Sequence, residues 1–326
     1  MSKTKPPRRF YFDPGWLTPL GLIGLLGYAH EALWPLQFAM LFFLIPLVRV
    51  FWPKPKPAPT VLPKLPLPEA PLPGPAQRLG EARAMSNFLL GQMLTLLNPL
   101  QMGQQILQVG GQGLALLRVR GQTPTAETFV QQGRYTLPFT GQWYVFNGGP
   151  TEATSHSWDI VAQRYAYDFV MTDQTLQRHT GAGDKVSDYF CYGQPILAVA
   201  DGEVVAVQDN VRDAPQVGNG WVDWLSADFR GNFVVIRHAA NEYSFSAHLI
   251  PKSITVKPGE RVTRGQIIGR CGHSGHSTEP HLHFQLQDHP SFWLAAGLPI
   301  KFENVSVNNG PAQTLSLTRG VQVKPL

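Results

Sequence analysis

The hydrophobic positions of this chain form two patterns, a continuous apolar block near the N-terminus and short alternating runs in the C-terminal half. Residues 16–28 and 34–52 are almost entirely apolar, and the second stretch, WPLQFAMLFFLIPLVRVFW, carries Arg49 as its only charge. A helix needs about 20 apolar residues to cross a bilayer. The stretch 34–52 therefore predicts a transmembrane helix, with Trp34 and Trp52 at its two interfaces.

The first apolar stretch leaves several interpretations open. It contains Pro19 and ends before His30 and Glu31, so it fits one leg of a helical hairpin, an interfacial segment or the core of a signal peptide. We favour a retained anchor of one or two spans over residues 1–52, because a second apolar run follows at once without a small-residue cleavage site. Basic residues flank both ends of the block, which favours a hairpin with both termini in the cytoplasm. A single span would place the C-terminal part outside.

Proline dominates the next segment. Ten prolines lie between Pro53 and Pro75, many of them at alternate positions. This density disfavours helix and strand alike, because proline lacks a backbone N–H. We predict that residues 53–77 form an extended linker of about 3.1 Å per residue, about 70 Å in all, which carries the rest of the chain away from the membrane.

A helical pattern follows the linker. Residues 78–97 predict an amphipathic helix, from the spacing of Leu79, Met85, Phe88, Leu89, Met93 and Leu96. The helix is expected to end before Asn98 and Pro99. Residues 100–120 are rich in Gln, Gly and Leu and fit either a segment packed on the next domain or a poor third membrane segment, which would bury several Gln at high cost. Residues 78–121 are therefore treated as a short helical segment.

From Arg134 onward the chain consists of short runs rich in Val, Ile, Tyr and Phe, separated by Gly, Asn and Asp. The runs cover residues 142–146, 165–171, 195–208, 231–238, 242–249, 259–271 and 280–287. No long helical pattern lies between them, so the predicted fold class is all-β, an antiparallel sandwich or barrel. Asp201-Gly202, between two apolar runs, predicts a hairpin turn.

Composition and charge narrow the choice of partner. With 43% hydrophobic and 15% charged residues, wholesale disorder is excluded. The formal charge is +5 at pH 7, but residues 1–78 hold nine Lys/Arg against three acids, a balance of +6, and residues 79–326 hold eighteen against nineteen, a balance of −1. The basic character therefore lies beside the apolar block. This removes the main electrostatic argument for a nucleic-acid partner and favours a lipid bilayer.

A histidine pair lies inside one alternating run, PHLHFQLQ. Residues i and i+2 of a strand project to the same face, so His281 and His283 are expected side by side, with Leu282 and Phe284 on the opposite, packed face. Two histidines on one face suit metal binding or acid–base chemistry. The motif alone is weak, because a structural histidine pair gives the same pattern.

Further residues of compatible chemistry occur upstream. Asp168 stands among apolar neighbours in QRYAYDFV, where an unpaired carboxylate is costly to bury, and His248 ends the run FSAHL. His156 lies in a Ser- and Gly-flanked loop, SHSW. Nitrogen and oxygen ligands without a thiolate pair are typical of catalytic zinc, where three protein ligands leave one position for a water whose pKa falls to about 7.

The motifs GNFVVIRH, YSFSAHL and VKPGERVTRGQIIGRCGHSGHSTEPHLHFQ occur in an order that resembles the lysostaphin-type zinc metallopeptidases of the M23 family, which are cell-wall endopeptidases. The resemblance runs from about residue 134 to about residue 300, inside a domain that we place at residues 122–326. It implies a flattened fold of two antiparallel β-sheets around a groove, and it implies peptide bonds of bacterial peptidoglycan as the substrate.

The resemblance also implies a set of site residues. One zinc ion per chain would be held by three ligands, His156, Asp168 and His283. His248 and His281 would form the catalytic pair, one as general base toward the water and the other orienting it or stabilising the oxyanion.

Two positions depart from the family pattern. The common spacing is HxxxD, but Arg164 stands four residues before Asp168, and His156 lies twelve residues before it. A loop insertion would bring His156 round to the strand, with His179 as the reserve candidate. Ser246 replaces the Tyr that many members have two residues before the catalytic His, which bears on a substrate or oxyanion contact and not on the metal.

The sequence therefore predicts a membrane-anchored zinc endopeptidase that acts on peptidoglycan stems or cross-bridges, with its catalytic domain outside the cytoplasm. One alternative is a non-catalytic member that binds peptidoglycan or activates another hydrolase. Another is a cytoplasmic metallopeptidase with protein substrates, if the N-terminal block forms a hairpin. Cys191 and Cys271 lie in runs that could be adjacent in the sheet, so they are expected to form a disulfide or two buried thiols.

Overall fold

The structure is a computed structural model that describes residues 20–21, 23–24, 28, 30–45 and 70–326. The chain divides into two compact units, Met1–Leu65 and Pro66–Leu326. In the first unit Glu31–Leu44 forms a 3-10 helix. Within the described part of the chain, no helix combines the length and the apolar character that a bilayer crossing requires. Most of the predicted linker, part of the predicted span and the basic N-terminal residues lie outside the described residues.

Three helices open the second unit. They are α1 at Gly74–Leu79, α2 at Glu81–Thr95 and α3 at Pro99–Arg118. Pro75 occupies the first turn of α1, where a missing N–H costs nothing, so this helix begins within the last residues of the predicted linker. Asn98 caps α3 by accepting the Leu100 N–H at 3.0 Å. The ambiguous residues 100–120 are thus helical.

Short strands make up the rest of the second unit. They are β1 Trp143–Asn147, β2 Tyr167–Val170, β3 Pro195–Leu197, β4 Gly202–Gln208, β5 Asn232–Ala239, β6 Glu242–Leu249, β7 Arg261–Val262, β8 Ile267–Arg270, β9 Leu282–Gln287, β10 Gly297–Leu298, β11 Phe302–Val307, β12 Ala312–Leu315 and β13 Gln322–Pro325. Three 3-10 turns lie between them, at Val161–Gln163, Val186–Asp188 and Phe292–Leu294.

The strands form one large and one small antiparallel sheet. The large sheet has eleven strands in the order β12-β11-β13-β1-β2-β9-β6-β5-β4-β7, with β10 paired to β9. The small sheet consists of β3 and β8. The mostly β, antiparallel fold predicted for this half of the chain is confirmed, and of the two sheets one has eleven strands and the other two.

The hairpin predicted at Asp201-Gly202 is wrong. β3 pairs with β8, whereas β4 pairs with β5 and β7. Glycine is needed at position 202 for lack of space, because a Cβ atom at this position would lie 2.5 Å from the carbonyl oxygen of Arg237 on β5. The glycine therefore permits the close approach of two strands and does not form a hairpin turn.

The central strand β9 separates the hydrophobic core from the face that carries the histidines. Leu282, Phe284 and Leu286 are fully buried in the main core. The alternate residues His283 and Gln285 project from the opposite face of the strand, as strand periodicity requires. The polar side chains of β9 are thus held by a strand whose opposite face is packed in the hydrophobic core.

The two cysteines lie close together in the core. The backbone N–H of Gly193 donates to the Cys271 carbonyl at 2.8 Å, and the Cys271 N–H donates to the Gln194 carbonyl at 2.9 Å. Both residues are buried free thiols in the structure. Burial, reinforced by the neighbouring Cys191 thiol, raises the pKa of the Cys271 thiol well above its usual value.

Candidate metal centre

Three neighbouring strands bring the candidate residues together. β9 lies between β2 and β6, and its His283 pairs with Asp168 of β2 and with Ala247 of β6. Directly opposed residues of antiparallel strands share a face of the sheet. The register therefore places Asp168 beside His283, although 115 positions separate them in the chain.

His156 completes a cluster of three possible ligands. Its Nε2 atom lies 3.4 Å from Asp168 Oδ2, and His283 Nδ1 lies 3.0 Å from Asp168 Oδ1. One ligand atom from each residue lies within 4.8 Å of the others. Asp168 and His283 are buried, whereas the side chain of His156 is 31% exposed. The cluster thus has one side open to solvent.

The loop between His156 and Asp168 is folded back on itself, which closes the twelve-residue spacing. The Ser157 hydroxyl donates to the Gln163 carbonyl at 2.8 Å. Arg164, which occupies the position of the usual family ligand, instead holds this loop, because its Nε donates to the Trp158 carbonyl at 3.0 Å and its guanidinium lies over the Trp158 ring. The arginine therefore supports the insertion and takes no place in the cluster.

The protonation states suit metal binding. Burial would raise the pKa of the Asp168 carboxyl, but the neighbouring His156, His283 and His281 outweigh burial and hold it well below its usual range. Burial also lowers the pKa of His156, with Asp168 opposing this shift. At neutral pH the centre therefore offers an ionised carboxylate and a neutral His156 imidazole.

The donor geometry fits a zinc ion. Zinc binds His nitrogen and carboxylate oxygen at 2.0–2.2 Å in a tetrahedron, which separates neighbouring ligand atoms by about 3.4 Å. The separations of 3.4 Å to Asp168 Oδ2 and 3.0 Å to Asp168 Oδ1 lie close to this value, and one ligand atom from each of the three residues lies within 4.8 Å of the others. Two imidazoles and one carboxylate are also a set found in catalytic sites, where a fourth position stays open.

Two further histidines stand beside the cluster with similar hydrogen bonding. His248 Nδ1 lies 2.7 Å from the Ser274 carbonyl, and His281 Nδ1 lies 2.8 Å from the Glu279 carbonyl. A carbonyl only accepts, so each Nδ1 carries a proton, and Nε2 is the remaining ring nitrogen of each histidine. The two rings are 4.8 Å apart, and His281 Nε2 lies 3.7 Å from Asp168 Oδ1. Burial lowers the pKa of His248 well below its usual value, assisted by His281 and His283.

A backbone irregularity turns His248 toward the site. Ser246 pairs with the core residue Phe284, so strict alternation would direct His248 into the core as well. His248 instead has a φ of 61°, in the left-handed region that non-glycine residues rarely adopt, and the next residue, Leu249, re-enters the core. Such strain is typical of functional sites. Ser246 faces away from the cluster.

A chain of hydrogen bonds fixes the tautomer of His283. The Gln287 amide nitrogen donates to the His289 carbonyl at 2.8 Å, so its Oε1 accepts from Gln285 Nε2 at 2.6 Å. Gln285 Oε1 in turn lies 3.1 Å from His283 Nε2. Because a carbonyl only accepts, the polarity of the chain puts the proton of His283 on Nε2. Its Nδ1 is then the ring atom that faces Asp168 and that would bind a metal ion.

Other histidines occupy structural positions. His179, the reserve ligand, lies outside the cluster, because its Nε2 accepts the Gly74 N–H at 2.9 Å and its ring packs on Tyr189. In the turn before β9, His273 is fully buried and His276 is half-buried. The turn is covered because His276 Nε2 bonds to the side-chain oxygen of Gln101 on α3. Asn147, which the sequence did not reveal, donates to Asp168 Oδ2 at 3.0 Å.

The buried histidines predict acid-sensitive stability. Burial lowers the pKa of His273 and of His276 to about 4. Below their ordinary pKa of about 6.5 the unfolded chain binds protons that the folded chain excludes. Each residue should therefore reduce the free energy of unfolding by up to about 1.4 kcal/mol per pH unit as the pH falls from 6.5 to 4.

Urea unfolding at pH 7 and pH 5 with a chelator present measures this effect. In His276→Gln the free energy of unfolding should depend on pH less steeply, by the contribution of about one proton. His289→Gln is the matched control and should keep the wild-type pH dependence. An unchanged slope in His276→Gln would contradict the assignment.

Comparison with known proteins defines the class of this domain. Residues 185–292 match the family described as Peptidase family M23, a range that contains His248, His281 and His283 and begins after His156 and Asp168. The peptidoglycan DD-endopeptidase ShyA of Vibrio cholerae is 32% identical over 110 residues, which cover 33% of this chain and 21% of ShyA. The glycyl-glycine endopeptidase ALE-1 of Staphylococcus capitis is 31% identical over 134 residues, 38% of this chain and 32% of ALE-1.

A solved structure gives a similar comparison. The crystal structure of a zinc-containing peptidase from Vibrio cholerae aligns with 23% identity and a TM-score of 0.31, over 51% of this chain and 41% of that one. This chain spans about one fifth to one third of the two curated relatives that it matches. The resemblance drawn from the motifs is confirmed for residues 185–292, which match the M23 peptidase family.

Proposed function

We propose that the chain is a zinc metalloendopeptidase that hydrolyses peptide bonds in bacterial peptidoglycan. The convergence of His156, Asp168 and His283 beside two histidines whose Nδ1 atoms are held by backbone carbonyls carries the proposal. One zinc ion held by the three ligands would supply a Lewis acid that activates water for attack on a peptide carbonyl. A non-catalytic role is less well supported, because both the ligand set and the histidine pair are present.

The chain's own residues supply the proton transfer. His281 Nε2 lies beside the ligand Asp168, so His281 is the better placed general base toward the attacking water. His248, buried next to it and kept neutral, carries its proton on Nδ1, so its Nε2 would accept a hydrogen bond from the attacking water and orient it. The carbonyls of Glu279 and Ser274 hold both rings in the tautomer that this chemistry requires.

The names of the relatives support the proposed substrate class. ShyA is named a peptidoglycan endopeptidase and ALE-1 a glycyl-glycine endopeptidase, so both names denote enzymes that cut peptide bonds. Incubating the purified chain with isolated peptidoglycan and separating the released peptides tests the proposal. We expect new amine termini that disappear with a chelator and return with zinc. Stoichiometric zinc without cleavage of any cross-linked substrate would favour the binding role.

We also propose that the N-terminal residues 1–52 anchor the chain in a membrane, that residues 53–77 act as a spacer and that the catalytic domain lies outside the cytoplasm. The apolar composition of the stretch 34–52 and the extracytoplasmic position of peptidoglycan support this arrangement. A reporter fused to the C-terminus and read on each side of the membrane tests it. A reporter active only in the cytoplasm would contradict the location.

The glutamine chain behind His283 gives a further prediction. We expect Gln285→Leu to weaken zinc binding about 10- to 100-fold, because the partner of a ligating imidazole sets its tautomer and orientation. Gln285→Glu keeps an acceptor for the His283 Nε2 proton and should restore most of the affinity. Competition with a chromophoric zinc chelator measures both variants. Equal affinity in the Leu variant and the wild type would show that the chain has no effect on the ligand.

A further inference from the structure

The helices α2 and α3 turn their small and polar residues toward the peptidase domain. Gly111 of α3 lies so close to the domain that a Cβ atom there would be 2.2 Å from the Trp293 carbonyl oxygen. Gln101 is fully buried, and its amide donates to the carbonyls of Asp223 and Ser226. Glycine, alanine and glutamine therefore make the contacts that leucine makes in an ordinary surface helix.

The opposite side of the two helices, here called the outer face, is apolar and exposed. It consists of Met85, Leu89, Leu90, Met93, Leu96, Leu97, Leu100, Leu107, Leu114 and Leu117. On α3 the residues Leu100, Leu107 and Leu114 recur every seven positions, so they form one continuous stripe. Leu97 is 78% exposed and Leu117 is 76% exposed. Ten large apolar side chains exposed on two consecutive helices and the connection between them exceed what a soluble surface usually leaves in water.

The charges around the outer face point to an acidic partner. No Asp or Glu occurs between Glu81 and Glu127. The exposed Arg83 and Arg120 lie near the two ends of the helical pair. A second copy of the chain would bring the same arginines together, with Glu81 at the start of α2 as the only acid of the two helices. Phospholipid headgroups of negative charge would instead pair with them while the acyl region received the leucines.

The helices are held flat against the peptidase domain, which excludes insertion across a bilayer. Gln104 donates to the Ala227 carbonyl, Gln112 to the Asp159 carbonyl, and Arg118 pairs with Asp288 at 2.7 Å. These contacts follow α3 along its length, about 30 Å for 20 residues. A helix fixed in this way on one side can meet a membrane only with its other side.

We propose that the outer face of α2 and α3 lies in the interfacial layer of a bilayer that contains anionic lipid, and seats the peptidase domain on the membrane surface. The proposal rests on the membrane location given under the proposed function, but it concerns a second contact beyond the N-terminal block. Gln112 also bonds to Val161 and Asp159, in the loop that follows the ligand His156. When α3 lies on the membrane, it would thus hold the loop that follows the metal ligand His156.

Depth-dependent quenching in the full-length protein tests this contact. Leu107→Cys is labelled with an environment-sensitive fluorophore after reconstitution into phosphatidylcholine–phosphatidylglycerol vesicles that carry nitroxide lipids. The native cysteines are buried, and Gln313→Cys on exposed β12 is the matched control. We expect the probe at residue 107 to be quenched at least about twofold more strongly than the control probe. Replacing Leu114 and Leu117 by Glu should reverse this difference.

The outcomes separate this contact from the proposed anchor. Vesicle flotation reports the anchor, and quenching at residue 107 reports the outer face. A protein that floats while the probe at residue 107 stays unquenched keeps the anchor and overturns the proposal. A probe whose emission is equally shifted without vesicles would show that the N-terminal segment or a second copy covers the face, which also overturns it. Absence of flotation together with absence of quenching overturns both.

Discussion

We expect His283→Ala to lose both zinc and peptidase activity. His283 Nδ1 is one of three ligand atoms, and its ring is fixed between Asp168 and Gln285. Removing a ligand should weaken zinc binding by more than the roughly 100-fold that loss of an outer partner costs. Metal content after dialysis and cleavage of peptidoglycan measure the two losses. His283→Ala that kept stoichiometric zinc would contradict the ligand assignment.

The same measurement on a matched pair of variants tests the ligand His156, whose spacing departs from the family pattern. His156→Ala should lose zinc in the same way, whereas His179→Ala should keep it, because His179 instead accepts the Gly74 N–H. The reverse result would place the metal with His179 and leave the reaction class intact.

The second large effect concerns the histidine pair. We expect His281→Ala and His248→Ala to retain zinc and to lower the cleavage rate by about 10²- to 10⁴-fold, the usual contribution of general acid–base catalysis. Ser246→Ala, on the neighbouring but opposite-facing position of β6, is the control and should leave the rate unchanged. Loss of zinc in either histidine variant would mean that the residue ligates the metal and does not transfer protons.

The sequence predicted the parts of the site that depend on strand periodicity. His281 and His283 stand two positions apart, and their shared face required only that the run be a strand. Asp168 was recognised because a carboxylate among apolar residues needs partners. The role of Gln285 and Gln287 could also have been predicted, because they continue the same alternation, but amide polarity becomes visible only with the His289 carbonyl in place.

Other features depend on contacts between distant segments. Asn147 reaches Asp168 only through the pairing of β1 with β2, and nothing in its own neighbourhood signals that. The Asp201-Gly202 pair has the local preference of a hairpin turn, but that preference carries no information about which strands pair. In the structure the preceding strand β3 pairs with β8. Residues 100–120 stayed ambiguous because the polarity of α3 is inverted, with glutamine and glycine against the domain and leucine outside.

The central claim is that His156, Asp168 and His283 share one zinc ion, and anomalous scattering at the zinc edge from crystals of the protein tests it most directly. The account predicts a single peak about 2.0–2.2 Å from His156 Nε2, an Asp168 carboxylate oxygen and His283 Nδ1. A peak coordinated by His179, or by His248 and His281 without Asp168, would contradict it, as would zinc-soaked crystals without a peak at the cluster.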